Sequence, residues 1–247
     1  MANLPKPPAS EQTLEAPFLQ AQWRWLVMLN YETDSNLLEP YLPAGTEIDF
    51  FHGKTYVSLV GFLFLDTRVK GIPIPFHRDF EEVNLRFYVR RKAEEGWRRG
   101  VVFIKEIVPR RAIAWAARTF YNENYIALPM RHSTAQRELV YSWRIHNDWN
   151  YIKARRSGEP ALAVPGTQEE FITEHYWGYA AQPSGATVEY RVGHVPWRIW
   201  QVEQTAVHLS TSELYGPEFA APLSEKPASA FVAEGSPVTV YSGRALR

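Results

Sequence analysis

Residues 82–89 read Glu-Val-Asn-Leu-Arg-Phe-Tyr-Val, an unbroken alternation of polar and apolar side chains. A period of two belongs to a β-strand. Val83, Leu85, Phe87 and Val89 fall on one face, and Glu82, Asn84, Arg86 and Tyr88 on the other. The apolar face must pack. The polar face sets an acid, an amide, a guanidinium and a phenol in one row, about 7 Å apart. In an open sheet that row would meet water, and the pattern alone points to such an exterior. In a closed sheet it would line a cavity.

The rest of the chain surrounds this strand with more strands than helices. Residues 23–31 and 55–65 are dense, apolar and strand-like, with a short helix over 35–42 and a short strand over 47–51 between them. A hairpin loop at 91–100 leads to a strand over 101–108. Residues 112–121, rich in Ala, form the best helix in the chain. Further strands are expected over 138–145, 171–179, 187–192 and 238–241. A Gly/Pro/Ala loop is expected over 157–167, and a second short helix over 167–171 or 212–215. Residues 1–19, rich in Pro, Glu and Ala, read as a loose arm. The elements suggest a mainly β (α+β) fold in which an antiparallel sheet curves into a barrel or sandwich.

Composition narrows the function classes. The 247 residues carry 27 basic and 27 acidic side chains, a balance that argues against a general nucleic-acid binder. There is no cysteine, so disulfides, thiolate catalysis and Cys-based zinc sites are excluded. No apolar run approaches the length of a membrane-spanning helix, and the first residues lack the pattern of a signal peptide. A cytoplasmic protein is the expectation. With 9 Trp, 13 Tyr and 13 Phe, the chain has the aromatics that strands favour and that line pockets for organic ligands. Phosphate-binding glycine loops, a Gly-x-Ser-x-Gly elbow and a His-Glu-x-x-His pair are absent, and neither a metal nor a cofactor is expected.

Beside the polar row, three segments hold chemically useful side chains. Residues 118–125 place Arg118, Tyr121 and Tyr125 on one face if the helix continues that far. Arg118 reads either as an anion-binding group or as a cation at the helix C-terminus, where the dipole favours it. Residues 173–179 put Glu174 and Tyr176 on one strand face and Thr173, His175, Trp177 and Tyr179 on the other, as a pocket wall or as aromatic packing. His194, before Val195-Pro196-Trp197, reads as a turn residue or a group titrating near neutral pH.

Taken in order, several segments resemble the YqjF-like family of the acetoacetate decarboxylase-like superfamily. They are Trp25-Leu26 with Asn30-Tyr31, Leu42-Pro43-Ala44-Gly45 and residues 56–62. Phe80-Glu81-Glu82-Val83-Asn84-Leu85-Arg86 follows, then Ala117-Arg118 with Tyr121 and Tyr125, Thr173-Glu174 with Tyr176, and His194 with Pro196-Trp197. The likeness spans roughly residues 20–242. It implies that residues 20–247 form a single acetoacetate-decarboxylase-like domain, a closed, strongly curved antiparallel β-barrel with a central cavity and a few packing helices. It also implies that Glu82 faces that cavity. One departure is decisive. The position of the decarboxylases' Schiff-base lysine falls on Tyr125, and that of its lysine neighbour on Ile126. A phenol cannot form a Schiff base, which needs a primary amine of depressed pKa. Lys105 alone among the lysines reads as lying inside a strand, on the face of Phe103 and Ile107.

Two functions follow from this reading. The first is a binding cavity for a small anionic, oxo-acid-like molecule, with Asn84, Arg86, Tyr88, Arg118, Tyr121, Glu174, Tyr176 and His194 as ligand-binding residues. The second is a lysine-independent lyase, isomerase or hydrolase, with Glu82 as acid or base and Tyr125 as proton donor. In both the partner is a small molecule, not a nucleic acid or a membrane, and aromatic surface leaves room for a homodimer. A purely structural protein would instead fill the cavity with its own side chains.

Overall fold

The computed structural model describes residues 16–246, except the side chains of Phe120 and Tyr121. The strands, in chain order, are β1 (Pro17–Thr33), β2 (Glu47–Ile48), β3 (Thr55–Val69), β4 (Ile72–Pro73), β5 (Phe80–Ala93) and β6 (Gly96–Val108). After helix α1 (Arg111–Tyr121) come β7 (Tyr125–Ala127), β8 (Met130–Ser133), β9 (Glu138–Ile145) and β10 (Asp148–Leu162). Helix α2 (Gln168–Thr173) leads to β11 (Trp177–Ala181), β12 (Thr187–Gly193) and β13 (Arg198–His208). Helices α3 (Thr211–Tyr215) and α4 (Ala220–Ser224) precede β14 (Ser229–Tyr241) and β15 (Arg244–Ala245).

Seven strands close a hydrogen-bonded ring in the order β12-β11-β6-β5-β3-β1-β14, because β14 pairs with β1 on one edge and with β12 on the other. The pairing is antiparallel except where β11 and β7 run parallel to β6. The closely curved, mainly antiparallel sheet is as expected, with one parallel seam in the ring at β11–β6 and one beside it at β7–β6. A buried charge cluster ties the closure together. Glu189 of β12 is fully buried and accepts hydrogen bonds from Arg91 of β5, Arg98 of β6 and Arg244 of β15. Such a cluster holds only while each partner stays in place, since a carboxylate stripped of its cations inside a protein is costly.

Beyond β14 the sheet continues through β13, β10, β9 and β8 and folds back over the outside of the ring. Two cores result. The outer one joins Val27, Leu29, Val57, Leu59 and the apolar face of β5 (Val83, Leu85, Phe87, Val89) to Tyr141, Trp143 and Ile152 of the overlying sheet. The layers approach so closely at Gly61 that a Cβ there would lie 2.8 Å from Ile152 and Tyr141. The inner core lies inside the ring and contains Leu26, Met28, Val60, Phe62, Phe64, Phe80 and Trp197. Both faces of β5 are thus covered, and its polar row turns inward. The exterior placement suggested by alternation alone is overturned by ring closure.

Other local expectations change for identifiable reasons. Residues 1–15 of the expected arm lie outside the described residues, and Pro17 to Leu19 already belong to β1. The helix expected over 35–42 is two separate 3₁₀ turns, Ser35–Leu37 and Glu39–Tyr41, the second with Pro40 in it. The strand expected over 171–179 is the end of α2, capped by the Thr167 side chain, followed by β11. The loop expected over 157–167 is largely the continuation of β10, whose bulged pairing with β13 accommodates Gly158 at positive φ. No helix among the described residues is long and apolar enough to cross a membrane.

Candidate functional site

The ring encloses a cavity of about 280 Å³. Glu82, Asn84 and Arg86 line it in succession, each two residues after the last on the inward face of β5. Phe80 begins the row, stacked on Phe64 at 4.7 Å between ring centroids, with Trp23 edge-on to Phe64. One face of α1 (Ala112, Ile113, Ala116, Ala117) also lines the cavity. The cavity is therefore apolar where Phe64, Phe80 and Ile74 stand and becomes charged along β5 toward Arg86.

The neighbouring strand β6 supplies a carboxylate by way of a bulge. Lys105 pairs with Leu85, but the next residue of β5, Arg86, pairs with Phe103, so Ile104 has no residue opposite it. An extra residue reverses the alternation. Phe103 and Glu106 consequently both line the cavity, and Lys105 does not. The Ile104 carbonyl accepts a 2.8 Å hydrogen bond from the Asn124 side chain, and the Glu106 N–H donates to the Asn124 carbonyl at 3.1 Å. Asn124 reaches this position because α1 ends at Asn122 in the left-handed conformation, φ 55°. The chain then turns Glu123 and Tyr125 into the cavity, with Tyr125 in register beside Glu106.

Three buried carboxyls thus share one site. Glu82 accepts hydrogen bonds from Asn84 Nδ2 at 3.0 Å and from the Tyr125 hydroxyl at 2.9 Å. Glu123 accepts one from the Tyr190 hydroxyl at 2.8 Å. Glu106 Oε2 is buried with no hydrogen-bond partner among the described residues. Burial disfavours every charged form here, and like charges add to it. Burial pushes Glu82 up to about 7, against hydrogen bonds from Asn84 and Tyr125 and the nearby Arg86 charge. Burial and the Glu82 charge push Glu123 up to about 8. Burial, then Glu123 and Glu82, hold Glu106 well above the ordinary carboxylate range. The Tyr125 phenol is raised by burial and by Glu106 and Glu82, so it stays a proton donor. At neutral pH the cluster holds protons that ordinary carboxyls have lost.

Arg86 is the opposite case. Its side chain is buried, 8% exposed, and forms no ion pair or hydrogen bond among the described residues; Nε is buried without a partner. It lies 5.9 Å from the centroid of the Tyr88 ring. A guanidinium presents up to five N–H donors and does not deprotonate, so an unpaired one in a cavity is a site for an anion.

Several expected residues stand elsewhere. Tyr88 does not line the cavity: its hydroxyl is 2.6 Å from Ser58 Oγ, and its ring packs against His175 and Phe171. Arg118 is exposed, and its Nε donates to the Ala114 carbonyl at 3.2 Å, so the helix-terminus reading replaces the anion-binding one. The helix stops before Tyr125 and breaks the expected shared face; the Tyr121 side chain lies outside the described residues. Glu174 and Tyr176 bond to each other away from the cavity wall, with the Tyr176 ring 4.6 Å from that of His194. His194 does line the cavity, stacked on Trp197 at 4.3 Å. Glu106, Glu123 and Tyr190 also line the cavity without having been selected from the sequence, and His175, from the segment read as a pocket wall or aromatic packing, lines it as well.

No lysine among the described residues lines the cavity, so none is placed to form a Schiff base there. The comparisons with known proteins agree with this fold. The uncharacterized protein YqjF of Bacillus subtilis (strain 168) is 24% identical over 189 residues, 75% of this chain and 76% of YqjF. The crystal structure of acetoacetate decarboxylase from Legionella pneumophila superposes with a TM-score of 0.67 at 15% identity, covering 99% of this chain and 93% of that one. The enduracididine biosynthesis enzyme MppR, solved with pyruvate, gives 0.65 at 13% identity over 99% and 96%. Matched over residues 20–237, the chain belongs to the family DUF2071, described as an uncharacterized conserved protein.

Proposed function

We propose that the cavity binds a small organic carboxylate of the oxo-acid type. The observation that carries this reading is Arg86, a buried, unpaired guanidinium in the wall of a cavity that the protein's own side chains leave open. The ligand's carboxylate pairs with Arg86, the strong charge-assisted contact that a guanidinium favours. Its keto oxygen accepts from the protonated carboxyl of Glu106, whose Oε2 has no hydrogen-bond partner among the described residues. The aromatic and aliphatic walls around Phe64, Phe80 and Trp23 suit an apolar tail over a bare three-carbon acid. A protein of the same fold, MppR, holds pyruvate, which supports an oxo acid as the ligand class. The reaction of the decarboxylases is not part of this reading, because their amine nucleophile has no counterpart in the cavity.

Calorimetric titration with 2-oxo-4-phenylbutanoate tests the proposal. The protein should bind the acid, and Arg86→Gln should weaken binding by about 30-fold or more, the scale for truncating one partner of a buried charge pair. Equal affinity in the two proteins would sink the assignment of Arg86.

A further inference from the structure

The cavity wall contains a second orphaned polar group with the opposite requirement from Arg86. His175, between α2 and β11, lines the cavity and is 7% exposed. Its Nε2 lies 3.3 Å from Asp49 Oδ2, while its Nδ1 is buried with no hydrogen-bond partner among the described residues. Asp49 is itself held ionised, with its carboxyl below the usual range: burial opposes this, but hydrogen bonds from His175 and Arg99 outweigh it. The Arg99 Nε donates to Asp49 Oδ2 at 2.6 Å.

These contacts assign the tautomer. A carboxylate only accepts hydrogen bonds, so the imidazole proton must sit on Nε2. Nδ1 is then a bare lone pair inside the protein. The imidazole is neutral at pH 7, its pKa lowered to about 4 by burial, with Asp49 opposing and Arg99 and Arg86 assisting. The ring packs on Tyr88 at 4.7 Å, the same phenol that Arg86 overlies, so His175 and Arg86 border one end of the cavity. His194 lacks such an arrangement: its Nδ1 lies 2.9 Å from the Val195 carbonyl, and no carboxylate among the described residues bonds to its ring.

We infer that His175, positioned by Asp49, is a base that removes the proton next to the keto group of a bound oxo acid, so that the cavity catalyses keto–enol interconversion. The inference rests on the proposed binding of an oxo acid at Arg86. The C–H proton passes to Nδ1, and the C–H electron pair becomes the C=C bond of the enol. The keto oxygen takes the proton of the Glu106 carboxyl. Reversal restores both groups, and no redox partner or cofactor is needed. Ligand binding itself prepares the base, because a carboxylate on Arg86 neutralises one of the cations that suppress protonation of the imidazole.

The test is deuterium exchange at C3 of 2-oxo-4-phenylbutanoate in D₂O, followed by proton NMR with catalytic amounts of the full chain. The expected rate is about 100-fold or more above buffer, the lower end of what a positioned base supplies. His175→Gln should return it to the buffer rate while affinity for the acid stays within about threefold. Asp49→Asn should slow exchange at least tenfold, with nitrogen NMR showing that the His175 proton is no longer confined to Nε2. That tautomer change separates positioning from a general loss of structure. If the wild-type protein binds the acid but exchanges it at the buffer rate, the base assignment falls and the binding proposal stands. The same holds if His175→Gln exchanges as fast as wild type. If the acid does not bind at all, the binding proposal falls and takes the inference with it. Should His175→Gln fail to fold, the wild-type rate and Asp49→Asn still decide.

Discussion

The Tyr125 hydroxyl donates a hydrogen bond to Glu82 Oε2 at 2.9 Å, from a strand position beside Glu106. This contact shows how the site differs from one built on a lysine. A lysine in the same place would pair with the carboxyls as an ammonium. A half-buried tyrosine between two carboxyls keeps its proton.

The protein should therefore form no covalent adduct with oxo acids. Incubation with 2-oxo-4-phenylbutanoate and cyanoborohydride, followed by intact mass measurement, should leave the mass unchanged under conditions that trap imines on lysine. Lys105, half-buried in β6, stands off the cavity wall and should not be modified. A stoichiometric adduct would show that an amine reaches the bound acid.

The carboxyl cluster should make stability fall as pH rises. Glu123 titrates at about 8 in the folded protein against an ordinary 4.5. Between those values the folded state keeps a proton that the unfolded state loses, so rising pH favours unfolding, by about 1.4 kcal/mol per unit for one such group. Glu123→Gln removes that titration. Urea denaturation at pH 5, 6.5 and 8 should show the variant gaining on wild type at each step. Parallel profiles would mean that Glu123 ionises normally.

The bulge at Ile104 should depend on Asn124. Asn124→Ala leaves the Ile104 carbonyl without its donor, and the expected cost is about 1–3 kcal/mol. Because the same bulge turns Glu106 inward, the variant should also bind the oxo acid more weakly. Unchanged affinity and stability would indicate that the bulge is held by the strand pairing alone.

This bulge also marks the limit of what the sequence reveals. Strand β5 was legible because its alternation is unbroken, and α1 because its Ala-rich run is strong. The family likeness supplied what periodicity could not, the inward turn of Glu82. Glu106 was not legible. Strict alternation places Lys105 on the face of Phe103, and only the extra residue in β6 exchanges Lys105 for Glu106. Arg118 was overvalued because its helix ends at Asn122, which separates it from Tyr125. His175 was noticed as a member of an aromatic strand, yet its partner Asp49 lies 126 residues away. No local pattern announces a pair assembled across that separation.

The measurement that tests the central claim most directly is a crystal structure of the protein with 2-oxo-4-phenylbutanoate. The expected density shows the carboxylate on the Arg86 guanidinium, the keto oxygen within hydrogen-bond distance of Glu106 Oε2, and the phenyl group toward Phe64 and Phe80. Density for the acid elsewhere on the protein, with Arg86 still unpaired in the cavity, would contradict the account.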